Sequence, residues 1–124
     1  MDSTFCVIIA GSRTFSNYKL LKERCDYFFS NRKPTAIISG AAKGADSLGE
    51  RYAKERGIDV MRFPAKWDMF GKQAGYVRNR EMLSHADALL VAWDGKSKGT
   101  EHMIKIAKGK GIPVRIIRFP AKGA

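Results

Sequence analysis

At 124 residues with 44% hydrophobic composition, the chain holds enough apolar material for one ordinary core and has no room for a second domain. No apolar run approaches bilayer length, and Met1 to Thr4 lead toward a strand without a signal-peptide pattern, so a soluble cytoplasmic protein with no membrane partner is expected. The net charge of +11 favours polyanions and phosphorylated ligands without choosing between them, and about half of the basic residues read as solvated helix faces, as in Lys19, Lys22, Arg24 and Arg51, Lys54, Arg56.

Phe5 to Ala10 is a continuous apolar run stopped by Gly11, the pattern of a strand buried on both faces. Ser16 or Asn17 can cap a helix that repeats Leu21, Cys25 and Phe28 on one face and ends by Asn31 and Pro34. Thr35 to Ser39 reads as a second buried strand. Asp46 is the expected N-cap of a helix running to Arg56 and closed by Gly57, and Asp59 to Phe63 is a third strand.

Pro64 to Ala74 reads as a long irregular stretch carrying an exposed aromatic pair, Trp67 and Phe70. Tyr76 to Ser84 follows as a helix, Ala88 to Ala92 as a strand, Thr100 to Lys110 as a helix with Thr100 at its cap, and Pro113 to Phe119 as a last strand. A small basic tail at Lys122 reads as frayed.

This alternation predicts an α/β fold, a Rossmann-like three-layer sandwich with a five-stranded parallel sheet in the order 3-2-1-4-5, over a single domain of residues 1–124. The order of the strands then reverses between the first and the fourth. The loops after those two strands are therefore expected to frame a ligand crevice.

Cys6 and Cys25 fall at positions that face the core, so both are expected as buried thiols. His85 and His102 have no ligand company, and neither a metal nor a cofactor is expected.

Four short segments sit where strands give way to helices. In the first, Gly11 allows a tight turn, Ser12 offers an amide and a hydroxyl, and Arg13 carries a fork suited to phosphate. In the second, Ser39 to Asp46 puts small residues at a helix N-terminus, with Gly40 as backbone donor, Lys43 supplying charge, and Asp46 as a cap or a contact to a ribose hydroxyl. It lacks the Gly-Lys-Ser/Thr of a Walker A loop.

The third segment, Arg78-Asn79-Arg80-Glu81-Met82, brings Arg78 and Glu81 to one helix face, either as a surface ion pair or as a phosphate clamp beside a carboxylate. Gly95-Lys96-Ser97-Lys98-Gly99-Thr100, flanked by Asp94 and Glu101, is the strongest phosphate-binding candidate by its own residues. Trp93 or Trp67 can stack a base.

Together and in this order, GSR, SGAAKGAD, RNREM and SKGT resemble the SLOG superfamily, which joins DprA (Smf) to the LOG nucleotide hydrolases. With Phe63-Pro64-Ala65-Lys66-Trp67 added, the pattern is most similar to small stand-alone SLOG proteins related to YspA and YpsA. The resemblance implies a Rossmann-like fold and a nucleotide-derived ligand.

LOG hydrolases cleave the N-glycosidic bond of nucleoside 5'-monophosphates with an Arg and with the Glu that ends P-G-G-x-G-T-x-x-E. Arg78 matches the Arg and Gly99-Thr100 match Gly-Thr, but Met103 stands at the Glu position and Trp93-Asp94-Gly95 replaces Pro-Gly-Gly. A hydrolase would therefore need Glu81, Glu101 or Asp94 in the missing role, with Arg78, Glu81 and Glu101 as its catalytic candidates.

DprA proteins bind single-stranded DNA, which implies a second alternative. A strand-binding groove would use Lys66, Trp67, Phe70, Lys72 and Arg80. The reading favoured here is binding of a nucleotide or nucleotide-derived small molecule through its phosphates, in a homo-oligomer, preferably a dimer formed through the third and fourth of these helices.

Overall fold

The computed structural model describes residues 4–120, so the basic tail at Lys122 lies outside the described residues. Five strands, β1 (Cys6–Gly11), β2 (Ala36–Ser39), β3 (Asp59–Arg62), β4 (Ala88–Trp93) and β5 (Val114–Arg118), pair in parallel in the order β3-β2-β1-β4-β5. This is the order expected from the sequence. The helices are α1 (Tyr18–Phe28), α2 (Ala45–Arg56), a single turn α3 (Trp67–Phe70), α4 (Ala74–Ser84) and α5 (Lys98–Lys110), and a 3-10 turn, Gly71–Gln73, links α3 to α4.

Alternate residues of each central strand face opposite layers, so continuous apolar runs are what a two-sided sheet requires. Val7, Ile9, Ile37 and Leu90 pack with Leu21 and Cys25 of α1 and with Tyr52 and Ala53 of α2. Ile8, Ile38, Leu89 and Val91 face the other way, onto Met82 and Leu83 of α4 and Met103, Ile104 and Ala107 of α5. Five apolar side chains of α4 and α5 are thus packed into the protein's own core.

Several boundaries differ from the expected ones. Asn17 caps α1, accepting a hydrogen bond from Leu20 N at 3.1 Å, and the helix stops at Phe28 rather than Asn31. Gly44 occupies the N-cap of α2 and Ser97 that of α5, so Asp46 and Thr100 lie inside the first turns and are buried. The stretch expected to be irregular is mostly helical from Trp67 onward, and α4 begins at Ala74.

Cys25 is fully buried, and burial pushes its thiol up to about 12. Cys6 is only half-buried, because it opens β1 beside the carboxylate of Asp87, which accepts a hydrogen bond from the Cys6 amide at 2.9 Å. Burial, then Asp87, raise its thiol pKa as well.

Candidate functional site

At the switch point β1 and β4 lie side by side, with Gly11 in register with Ala92. Gly11 has φ +150°, and a Cβ there would stand 2.1 Å from the Ala92 carbonyl oxygen, so only glycine lets the two strand ends approach this closely. Ser12 then fastens the loops together. Its N–H donates to Ala92 O at 2.9 Å, its carbonyl accepts from Phe15 and Ala45, and its hydroxyl accepts from Asp94 N at 3.3 Å. The Ser12 amide is consequently engaged within the protein, and the residue is buried.

The Ser39–Asp46 loop is also tied internally. Ser39 Oγ donates to Glu50 at 2.6 Å and accepts from Ala41 N, while Asp46 Oδ2 accepts from Ala42 N at 3.2 Å. Gly44, at φ +77°, leaves no space for a Cβ against the carbonyls of Ser12 and Arg13. The amides of Ala41 and Ala42 in this loop are therefore already paired within the protein. Lys43 stays exposed on this loop.

Arg78 does not pair with Glu81. Its Nη1 donates to the carbonyl of Gly40, a residue whose added Cβ would meet both Arg78 Nη1 and Asp46 Oδ2 at under 3 Å. Arg78 Nε is buried and has no hydrogen-bond partner among the described residues. Burial lowers the guanidinium pKa, opposed by the nearby charge of Asp46.

Asp46 is 4% exposed, and burial raises its carboxyl to about 6 against the smaller lowering effects of the Ala42 amide and Arg78. Asp94 behaves oppositely, since hydrogen bonds from Ser97 N and Lys96 N, both 2.8 Å, hold it below the usual carboxylate range.

These loops enclose a cavity of about 370 Å³. Its floor is apolar, formed by Ala10, Met82, Val91 and Met103, and its polar lining includes Arg13, Lys72 and Arg78 together with Asp94 and the buried Asp46. Of the expected site residues, Gly11, Arg13, Asp46, Trp67, Arg78, Asn79, Ser97, Gly99 and Thr100 line it. Gly40 and Lys43 line a neighbouring cavity of about 480 Å³ that shares Arg13, Ala42, Trp67 and Arg78 with the first.

Asn79 is buried and donates from Nδ2 to Gly99 O at 3.1 Å, fixing the start of α5. The same amide lies 3.2 Å from His102 Nδ1, and His102 packs its ring on Tyr76. Burial and the charges of Arg80 and Lys105 lower the His102 pKa.

The remaining expected residues lie outside both cavities. Trp93 donates from Nε1 to Ser97 O and lies under the Arg118 guanidinium, whereas Gly95 turns at φ +82° against Arg118. Glu81 and Glu101 are exposed and do not line either cavity. Thr14 and Tyr76 line the first cavity without having been singled out from the sequence, and Lys72, expected only in a strand-binding groove, lines it as well. No local motif marks them, although Lys72 and Tyr76 flank the helical start that an irregular loop had concealed.

Residues 5–70 match the model of the YspA, cpYpsA-related SLOG family. The chain belongs to this family. The gene 61 protein of Mycobacterium phage D29 is 33% identical over 115 residues, spanning 87% of this chain and 92% of that protein. The X-ray structure of DNA processing protein A (DprA) from Streptococcus pneumoniae matches 97% of this chain with a TM-score of 0.74 at 18% identity. This SLOG chain spans 52% of that DprA chain, and the likeness is one of fold.

Proposed function

We propose that the crevice binds a nucleotide or nucleotide-derived ligand through its phosphates, and that the protein acts as a sensor, carrier or sequestering module. One observation carries this reading: Arg13, Lys72 and Arg78 stand around one cavity and none is in an ion pair among the described residues. Guanidinium forks without a carboxylate partner, above an apolar floor, suit a phosphate joined to a flat ring.

Binding without turnover is favoured by Met103. It stands where the LOG pattern has its Glu, is 2% exposed and belongs to the cavity floor, so a thioether replaces the group that would activate water or stabilise an oxocarbenium-like state. Asp46 and Asp94 are the carboxylates that line the cavity, while Glu81 and Glu101 do not. Single-stranded nucleic acid is the second reading, supported by exposed Trp67, Met69 and Phe70 beside Lys66 and Lys72.

A thermal-shift screen of nucleotides separates these readings. Binding predicts a stabilising nucleotide recovered intact from the complex. Release of free base would favour the hydrolase, and affinity that grows with strand length and falls steeply with salt would favour nucleic acid.

A further inference from the structure

The two cavities share a wall made of Arg13, Ala42, Trp67 and Arg78, and they differ on either side of it. The first ends in the apolar floor that includes Val91 and Met103, while the second is bounded by Pro64, Ala65 and the Gly40–Lys43 loop. Two guanidinium groups thus stand where the two meet; beyond them the first cavity carries Lys72, Asp46 and Asp94 above its apolar floor, and the second carries Lys43 beside small residues. Each volume, about 370 and 480 Å³, falls within the range of roughly 300–1,000 Å³ for a small-molecule site.

Arg13 is exposed and has no hydrogen bond or ion pair among the described residues, and Arg78 keeps a buried Nε without a partner. Two guanidinium groups on one wall, each with unused donors, match a run of linked phosphates better than one terminal phosphate. Trp67, half-exposed and bordering both cavities, offers a stacking surface at the same boundary.

Resting on the nucleotide reading above, we propose that the ligand is two-ended: a dinucleotide joined through its phosphates, with one nucleoside in each cavity and the phosphate bridge between Arg13 and Arg78. The carboxylate of Asp46, which lines the first cavity only, is suited to accept hydrogen bonds from sugar hydroxyls at that end.

Titration calorimetry of the full chain with ATP, GTP, diadenosine triphosphate and diguanosine triphosphate tests this, because the triphosphates carry comparable charge on a single nucleoside. A dinucleotide is expected to bind at least about tenfold more tightly than its one-ended counterpart. Ala65→Phe, which fills part of the second cavity, is expected to remove that advantage while leaving ATP or GTP affinity within about twofold, which also shows that the variant is folded. Should Ala65→Phe lose both ligands, Lys43→Ala decides, since this exposed side chain borders the second cavity only and its loss is expected to weaken the dinucleotide about threefold.

Equal affinity for one-ended and two-ended ligands, or a dinucleotide indifferent to both variants, overturns the inference. A ten-residue oligothymidylate that outbinds both dinucleotides overturns it in favour of a nucleic-acid strand. If none of the four nucleotides binds, the nucleotide reading itself falls.

Discussion

The α1–α2 layer and the crevice at the strand ends use their arginines in opposite ways. Between α1 and α2, Arg56 donates to both oxygens of Asp26, at 3.2 and 2.7 Å, and Tyr52 donates to the same carboxylate at 2.7 Å. At the crevice, Arg13 lacks such a partner, and Arg78 reaches a backbone carbonyl and leaves a buried Nε unpaired. A guanidinium whose donors are filled inside the molecule holds the fold together; one kept unfilled at a cavity wall retains its capacity for an outside anion.

The largest effect is expected from the frame that holds the crevice cations in place. Gly11→Ala drives a Cβ into the Ala92 backbone at an unfavourable φ, and denaturant unfolding should register a loss of about 3 kcal/mol or more. Arg78→Ala comes next. It should weaken nucleotide binding by about 2 kcal/mol, roughly thirtyfold, in calorimetric titration, because it removes charged hydrogen bonds to phosphate.

Tyr52→Phe tests the α1–α2 layer. Loss of its hydrogen bond to Asp26 should cost about 1 kcal/mol of stability, with nucleotide affinity unchanged. If Tyr52→Phe altered affinity as much as Arg78→Ala, the division of labour between the two regions would be wrong.

The smallest expected effect is on pH dependence. Asp46 has a folded pKa of about 6, raised from its ordinary value by burial, so its contribution to stability is fully present below pH 4 and is lost as pH rises through 6. Its ionised form also opposes a phosphate bound nearby. Nucleotide affinity should therefore rise a few-fold from pH 7 to pH 5, and titrations of Asp46→Asn should show a flatter profile.

Much of the fold was legible in the sequence, since the runs at Val7–Ala10 and Ala88–Ala92 are too apolar for any place but the middle of a two-sided sheet, and parallel alternation leaves few strand orders. Helix starts were less so. Asp46 and Thr100 have the chemistry of caps, but a glycine at positive φ, Gly44, and the turn built by Asp94 before Ser97 start the helices earlier and bury both side chains. The four residues of α3 are too few to display a helical period, which hid the element presenting Trp67.

The site was legible as a set of loops but not as a set of contacts. Spacing along one helix pairs Arg78 with Glu81, yet the carbonyl of Gly40, distant in sequence, takes the guanidinium instead. Likewise, nothing local distinguishes Trp67, which borders both cavities, from Trp93, whose indole N–H is bound to Ser97. Such choices are made by tertiary approach, to which sequence spacing is blind.

The most direct measurement is calorimetric titration of a stabilising nucleotide into the native chain and into an Arg13→Ala, Arg78→Ala double variant matched for melting temperature. Binding by the native chain that disappears in the double variant is the predicted result. Affinity that survives loss of both arginines would contradict the account.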